Sequence, residues 1–216
     1  MRRFFCSGTK LDTIIMSDQP LEIKENHILH YSDEKIIQNN FHNFDHLFEY
    51  IGKPSAWDKT IYHLCTQELE YDYFYLIEDD VFSSDFTIFI NFFAEMEKIE
   101  ADLTAYQLKK AEETGLGHIL KRYPSYETDI PLWTFNPLCR LSKRLVIEIK
   151  KYHDKNHLIY FHEIMLPTLC MQKNFKIVTY QDHPTLSKFF GYFHYDVKST
   201  LPKIKENIVH PVKNFV

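Results

Sequence analysis

A continuous apolar run that ends in three consecutive acids is the feature that most limits how this chain can fold. Tyr73–Ile77 is aromatic and aliphatic throughout, and Glu78, Asp79 and Asp80 follow it directly. A short uninterrupted apolar run is typical of a central strand that is covered on both faces. Adjacent carboxylates are costly at such a place, because burial and like charges both disfavour their ionised forms. The run therefore predicts a buried strand with an acidic carboxyl end.

Helix-like and strand-like stretches alternate along the rest of the chain. Apolar residues recur at helical spacing over 33–51, 56–69, 86–99, 142–152 and 163–172. Short apolar runs predict further strands over 4–6, 13–16, 27–31, 103–108 and 175–180. The alternation is typical of an α/β fold with a mainly parallel central sheet flanked by helices. No change in composition divides the chain, so we expect a single domain over 1–216.

The acidic strand end has two interpretations. Divalent cations bind carboxylate oxygens, and ligands of open α/β sheets bind beyond the carboxyl ends of strands. Alternate strand residues share a face, so Glu78 and Asp80 would meet one ligand while Asp79 points elsewhere. Alternatively, the triplet is a solvated turn in which Asp79 or Asp80 caps the following helix. We favour the metal site because the preceding strand is so apolar.

Glycine content and charge exclude several other functions. The chain has only five glycines, and neither G-x-G-x-x-G nor G-x-x-x-x-G-K-[ST] occurs in it. The phosphates of a nucleotide would therefore need another partner, and a cation held by carboxylates can take that role. The net charge of −5 argues against a nucleic-acid partner.

Cysteine usage and hydropathy bear on the cellular compartment. The four cysteines form no C-x-x-C pair and lie among apolar residues, which indicates buried free thiols in a reducing compartment. The N-terminal residues lack the apolar core of a signal peptide, and no stretch approaches the length of a membrane helix. We therefore expect a cytoplasmic protein without a membrane span, and peripheral association with a membrane stays open.

Several stretches form an ordered set with the acidic strand end, which reads Glu-Asp-Asp. They are Ser7-Gly8, Ala56-Trp57-Asp58-Lys59, residues 135–142, residues 162–170 and His210-Pro211-Val212-Lys213. This set, which spans most of the chain, resembles the small single-domain GT-A-type glycosyltransferases of surface-polysaccharide clusters and large viruses, and the acidic strand end resembles the D-x-D region of that family. The resemblance implies one GT-A-like domain, with a donor-binding part over about 1–110 and an acceptor-binding part over about 111–216.

The resemblance also implies a reaction. A nucleotide-diphosphate sugar, such as a UDP-sugar, would give its sugar to a glycan or another hydroxyl acceptor in the synthesis of surface polysaccharide or glycoprotein glycans. Mn²⁺ or Mg²⁺, held by Glu78, Asp80 and His210, would act as a Lewis acid on the diphosphate leaving group. Glu163 would take a proton from the acceptor hydroxyl, or would contact the donor sugar in a retaining enzyme. His162 would orient these groups or bind the acceptor.

The remaining candidates fall into two sets. The donor-binding candidates are Ser7, Gly8, Thr9, Asp33, Lys59, Asp79 and Lys213. The substrate-binding candidates are Trp133, Phe135 and Asn136, which would contact the sugars, and Arg140, which would pair with a donor phosphate. Each set has an ordinary alternative: Asp33 as a helix N-cap, Lys59 as an exposed helix lysine, Trp133 and Phe135 as core, and Arg140 as a partner of Asp102. The stretch over 112–128 predicts a loop, either a mobile lid or a simple solvent loop.

Two other functions stay open. One is a carbohydrate- or nucleotide-sugar-binding module without turnover, and the other is a metal-dependent phosphoesterase. Glu163 and His210 discriminate between the first of these and a transferase. If both lie near Asp80, an enzyme is favoured, whereas a wide separation favours a binding module.

Overall fold

The computed structural model describes residues 2–7, 10–17, 28–42, 53–68, 70–114, 131–193 and 207–211, with only the backbone of 2–7, 10–12 and 192. The described strands, β1 to β11, are Arg2–Ser7, Lys10–Ser17, Ile28–His30, Tyr73–Ile77, Leu103–Ala105, Leu108–Lys110, Leu132–Thr134, Leu138–Ser142, Ile177–Thr179, Phe190–Phe193 and Ile208–His210. The described α-helices, α1 to α5, are Asp33–Gln38, Ala56–Thr66, Phe86–Met96, Lys143–Asn156 and His162–Gln172. Short 3₁₀ turns form at Ala111–Thr114 and Ser187–Phe189.

Seven strands form one sheet in the order β3-β2-β1-β4-β8-β5-β9. The pairs β2/β3 and β5/β9 are parallel, whereas β1 and β8 run antiparallel to both of their neighbours. The expectation of a mainly parallel sheet is therefore wrong for the pairing, and the sheet is mixed. One reason is local: only two residues separate β1 from β2, and a parallel connection needs a crossover of a dozen or more.

Most strands of the main sheet nevertheless run in one direction and end on the same side of it. Because β1 and β8 are each reversed between their neighbours, the five strands β2, β3, β4, β5 and β9 all point the same way. We call the edge at which these five strands end the carboxyl edge. Two smaller sheets, β6/β7 and β10/β11, complete the described strands.

Several element boundaries differ from the sequence prediction. The strand predicted over 103–108 is two strands, β5 in the main sheet and β6 paired with β7. The helix predicted over 33–51 ends at Gln38, and Asn40 follows with a left-handed φ of 56°. Residues 43–52 and 115–130, which include most of the predicted loop with Gly115 and Gly117, lie outside the described residues.

The core is built around β4 and β8. Tyr75 and Arg140 are register partners on these strands, and both are fully buried under α3. The rings of Tyr75 and Phe93 lie 4.9 Å apart, which fixes α3 against this face. Phe74 and Leu76 point to the opposite face, where they are also buried. A strand covered on both faces is what the apolar run predicted.

Two further findings bear on the sequence expectations. Cys65, Cys139 and Cys170 are buried, as expected, while the side chain of Cys6 is not described. Among the helices that the structure describes, none combines the length and apolar character needed to cross a bilayer.

Candidate functional site

The end of β4 places two carboxylates beside a histidine from the far end of the chain. The Glu78 N–H donates to the carbonyl of Pro137 at 2.7 Å, and the Val81 N–H donates to the carbonyl of Glu78 at 3.2 Å, so the chain turns directly after the strand. Phe82 then forms an isolated antiparallel bridge with Val209, with N–H···O distances of 3.0 and 2.9 Å. This bridge places the residue after Val209, His210, opposite the turn.

Glu78, Asp80 and His210 form a compact cluster at the carboxyl edge. The Nε2 atom of His210 lies 3.4 Å from Oε2 of Glu78 and 3.2 Å from Oδ1 of Asp80. One ligand atom from each residue lies within 4.8 Å of the others. Two ligands that are each about 2.1 Å from one cation lie about 3 Å apart when adjacent in an octahedral shell, so this spacing fits a divalent cation.

The chemistry of the three donors also fits a cation. Two carboxylate oxygens with one imidazole nitrogen suit Mn²⁺, whose ligand preferences span oxygen and nitrogen. Burial lowers the pKa of His210, but its bonds to Asp80 and Glu78 raise it more, to about 9. In the metal-free protein, a protonated His210 therefore partly neutralises the two carboxylates, and a cation can take over this role.

Asp79 lies outside this cluster. Its side chain is exposed at the turn, while Glu78 and Asp80 both face His210. The arrangement agrees with the expected alternation of side chains along the strand end. A contact between Asp79 and a donor diphosphate stays a prediction.

Glu163 is the second acidic group of the site and lies in the first turn of α5. Trp133 donates its indole N–H to Oε2 of Glu163 at 2.9 Å, and the backbone N–H of Asn136 donates to Oε1 at 3.3 Å. Burial raises the pKa of Glu163, the nearby Glu78 carboxylate raises it further, and the two hydrogen bonds and His210 oppose them, so that the pKa is about 8. Glu163 is therefore largely protonated at neutral pH in the metal-free protein.

His162 lies between the two acidic groups: it precedes Glu163 in the chain and packs against Trp57, which bonds Glu78. The rings of Trp57 and His162 are stacked, with centroids 3.8 Å apart and planes 9° apart. Trp57 in turn donates its indole N–H to Oε1 of Glu78 at 2.8 Å. Burial lowers the pKa of His162 to about 3, so its imidazole stays neutral and is a weak base. These contacts favour an orienting role for His162.

Trp57 is the site residue that sequence reasoning missed. It lies in the stretch Ala56-Trp57-Asp58-Lys59, in which the sequence predicts only Lys59 as a site residue. Its side chain is only 7% exposed. An apolar pattern in the sequence would therefore place it in the core without indicating a role in the site. A signal was present nonetheless, because the chain has only two tryptophans and both lie in stretches that carry the resemblance.

Three buried residues, Trp133, Phe135 and Asn136, line the inner side of the site. Trp133 and Phe135 are only 5% and 6% exposed, which favours core packing over the predicted sugar platform. The Phe135 ring lies 5.3 Å from the ring of His210, edge to face. Asn136 is fully buried, and neither polar atom of its side chain has a hydrogen-bond partner among the described residues. A buried amide in this state is ready to bind a water or a polar ligand.

Arg140 has a structural position instead of a substrate-facing one. Its guanidinium donates to the backbone carbonyls of Met96 and Ile99 at the end of α3, and it lies 4.0 Å above the ring of Tyr73. The predicted pairing of Arg140 with Asp102 is wrong, because Asp102 pairs with Arg144 and accepts from Ser142. The planar guanidinium fits the carbonyls that a helix end leaves unpaired.

Asp33 and Lys59, both predicted to bind the donor, contact each other. The Lys59 ammonium is fully buried and lies 2.9 Å from Oδ1 of Asp33. Two ordinary alternatives are therefore wrong: Lys59 is not an exposed helix lysine, and Ser32 is the N-cap of α1 in place of Asp33. Ser7 is described by its backbone alone, while Gly8, Thr9 and Lys213 lie outside the described residues.

Comparisons with protein-family models, with curated proteins and with solved structures found no match for this chain. Its function is therefore inferred from the chemistry of the two acidic groups at the carboxyl edge.

Proposed function

We propose that this chain is a metal-dependent glycosyltransferase that moves a sugar from a nucleotide-diphosphate donor, such as a UDP-sugar, to a hydroxyl group of a glycan acceptor. One observation carries the proposal: the Glu78, Asp80 and His210 cluster and the Glu163 carboxyl group converge at the carboxyl edge. This is the edge at which open α/β sheets bind ligands.

Two connections tie the cluster to Glu163. Glu78 donates its backbone N–H to Pro137, and the preceding residue, Asn136, donates its backbone N–H to Glu163. Glu163 is also close enough for the charges of Glu78 and His210 to shift its pKa. This proximity supports an enzyme over a module that only binds sugars, because a binding module has no need for an ionisable group beside a cation.

The residues divide the work of sugar transfer. Glu78, Asp80 and His210 would hold a cation that stabilises the charge developing on the diphosphate leaving group. Glu163, with a pKa of about 8, would be a strong base toward an acceptor hydroxyl once ionised. The buried amide of Asn136 beside it offers a donor and an acceptor for a hydroxyl group.

The fold supports this proposal at a coarse level. A GT-A-like arrangement, with a donor-binding part over about 1–110 and an acceptor-binding part over about 111–216, belongs to the proposal. Glu78 and Asp80 come from the first part, whereas Glu163 and His210 come from the second. The candidate site therefore needs both parts.

Isothermal titration calorimetry with Mn²⁺ and UDP tests the donor site. We expect UDP to bind the wild-type protein only when Mn²⁺ is present. In Asp80→Asn we expect this Mn²⁺-dependent binding of UDP to be lost. Asp72→Asn is the matched control, because Asp72 is an exposed acid at the opposite end of the same strand. Equal binding of UDP and Mn²⁺ to wild type and Asp80→Asn would refute the proposal.

A transfer assay across nucleotide sugars tests the role of Glu163. Glu163→Gln should slow transfer by roughly 10²- to 10⁴-fold if Glu163 is the general base, and should leave binding of UDP and Mn²⁺ intact. Unchanged turnover would remove Glu163 from this role. Hydrolysis of phosphoesters without sugar transfer would instead identify a phosphoesterase, and binding without any turnover would identify a binding module.

A further inference from the structure

Both tryptophans of the chain donate their indole N–H groups to the acids of the candidate site. The chain has only two tryptophans. Trp57 donates to Oε1 of Glu78 at 2.8 Å, and Trp133 donates to Oε2 of Glu163 at 2.9 Å. Indole N–H is a donor only, so each bond fixes which carboxylate oxygen accepts from the indole.

The bond from Trp57 engages one oxygen of Glu78 and leaves the other facing the cluster. Oε1 accepts from the indole, while Oε2 lies 3.4 Å from Nε2 of His210. Without the indole, the Glu78 side chain could rotate between several rotamers, and only some of them direct an oxygen toward Asp80 and His210. A carboxylate held in advance loses less entropy when it binds a cation.

The indole itself is held on two sides. The helix that carries it, α2, begins with a capping box in which Ser55 and Asp58 bond each other's backbone N–H groups. The imidazole of His162 lies flat against the indole at 3.8 Å, and His162 directly precedes Glu163 in α5. The orientation of Glu78 therefore depends on α2 and α5 together.

We propose that Trp57 is a positioning residue for the cation: its indole N–H holds Oε1 of Glu78, so that Oε2 stays directed toward the position between Asp80 and His210. The stacked ring of His162 holds the indole in the plane that this bond requires. The inference rests on the proposed function, because it takes Glu78 as a cation ligand.

Mn²⁺ affinity, measured by calorimetry without nucleotide, tests this role. Outer partners of metal ligands typically contribute 10- to 100-fold to affinity, so we expect Trp57→Phe to weaken Mn²⁺ binding by about that factor. Trp133→Phe is the comparison variant, because it removes the other indole N–H, which bonds Glu163 and none of the three proposed cation ligands. We expect it to weaken Mn²⁺ binding much less than Trp57→Phe does.

A double-mutant cycle separates positioning from a general structural role. If Trp57 acts through Glu78, Trp57→Phe should cause no further loss of Mn²⁺ affinity in a Glu78→Ala background. A full additional loss there would show that the indole supports the site in another way and would overturn the inference.

The possible failures are distinguishable. A wild-type protein that binds no Mn²⁺ would overturn the metal site and with it the proposed function. A wild-type protein that binds Mn²⁺, with Trp57→Phe binding it equally well, would overturn only the positioning role. If Trp57→Phe does not fold, benzothienylalanine incorporated in place of the one tryptophan of the Trp133→Phe chain removes the N–H and keeps the shape of the ring.

Discussion

Glu163 and His210 both have raised pKa values, but for opposite physical reasons. Burial raises the pKa of Glu163 to about 8, because it disfavours the charged carboxylate. Burial alone would lower the pKa of His210, but the Asp80 and Glu78 carboxylates stabilise its charged form and raise its pKa to about 9. At neutral pH the metal-free site therefore holds a neutral Glu163 next to a charged His210.

The stability of the protein should reveal the protonation of Glu163. Its folded-state pKa of about 8 lies above the ordinary value of 4.5, so the folded protein keeps a proton that the unfolded chain releases between these pH values. The free energy of unfolding contributed by this group is therefore full below pH 4.5 and falls as the pH rises toward about 8. Glu163→Gln should remove this part of the decline, which urea denaturation across the same pH window measures.

Glu148→Gln is a control with the opposite sign. Bonds to Lys151 and Lys173 lower the pKa of Glu148, so its contribution is present above the ordinary pKa and is lost as the pH falls. This variant should therefore lose stability mainly at neutral pH. A Glu163→Gln protein whose stability depends on pH as steeply as that of the wild type would contradict the assignment of a raised pKa.

Among the elements, α3 depends most on a residue outside it. Arg140 of β8 donates to the carbonyls of Met96 and Ile99, and its guanidinium lies over the ring of Tyr73 of β4, 4.0 Å from the ring centre. Helix α3 is thereby anchored to two central strands at its carboxyl end. This anchor explains why a fully buried arginine is tolerated, since the planar group satisfies carbonyls that would otherwise lack partners.

Arg140→Lys should destabilise the protein without affecting the candidate site. A lysine lacks the planar guanidinium that bonds both carbonyls and covers the Tyr73 ring, so we expect a loss of about 2–4 kcal/mol in the free energy of unfolding. Urea denaturation measures the loss, and calorimetry measures UDP and Mn²⁺ binding in the same variant. Weakened UDP binding with unchanged stability would restore the phosphate-binding role that the sequence suggested.

The start of α2 is a second element whose local chemistry can be tested. Ser55 accepts from the Asp58 N–H, and Asp58 accepts from the Ser55 N–H. Ser55→Ala should lower the free energy of unfolding by about 1 kcal/mol, whereas Ser55→Gly should cost only a few tenths, because glycine is also a favourable N-cap. Equal stability of the alanine variant and the wild type would show that the capping box contributes nothing.

At the scale of the whole molecule, the candidate site joins distant parts of the chain. Asp80 follows β4, Glu163 lies in the first turn of α5, and His210 ends β11, which is bridged to the turn after β4 by Phe82 and Val209. A bound cation would therefore link the central sheet to the end of the chain. Ligands that bind only the folded state raise its stability by mass action.

Mn²⁺ should raise the melting temperature of the wild-type protein. At a concentration 100 times its Kd the gain is about 2.7 kcal/mol, which corresponds to roughly 5–10 °C for a chain of this size. His210→Ala, which removes one of the three proposed ligands, should lose most of this shift in a thermal melt. An identical Mn²⁺ shift in His210→Ala would place the cation elsewhere.

Local pattern predicted the pieces of this molecule better than their arrangement. The strand Tyr73–Ile77, the start of α2 at Ala56 and the end of α5 at Gln172 agree with the sequence prediction, because apolar periodicity is a property of neighbouring residues. The reversed directions of β1 and β8 were not predicted, because pairing depends on partners far away in the sequence. The division of 103–108 between two sheets has the same cause.

In the candidate site too, the residue types follow from the sequence, whereas their contacts depend on the tertiary structure. The sequence alone determined that three acids end a buried strand and that the two common glycine-rich phosphate loops are absent, since both follow from residue type and order. Only the tertiary structure decided that Asp79 lies outside the cluster, that Arg140 serves α3, and that Trp57 holds Glu78. The physical reason is that hydrogen bonds and pKa shifts act over a few ångströms in space, and distance along the chain does not determine which side chains come that close.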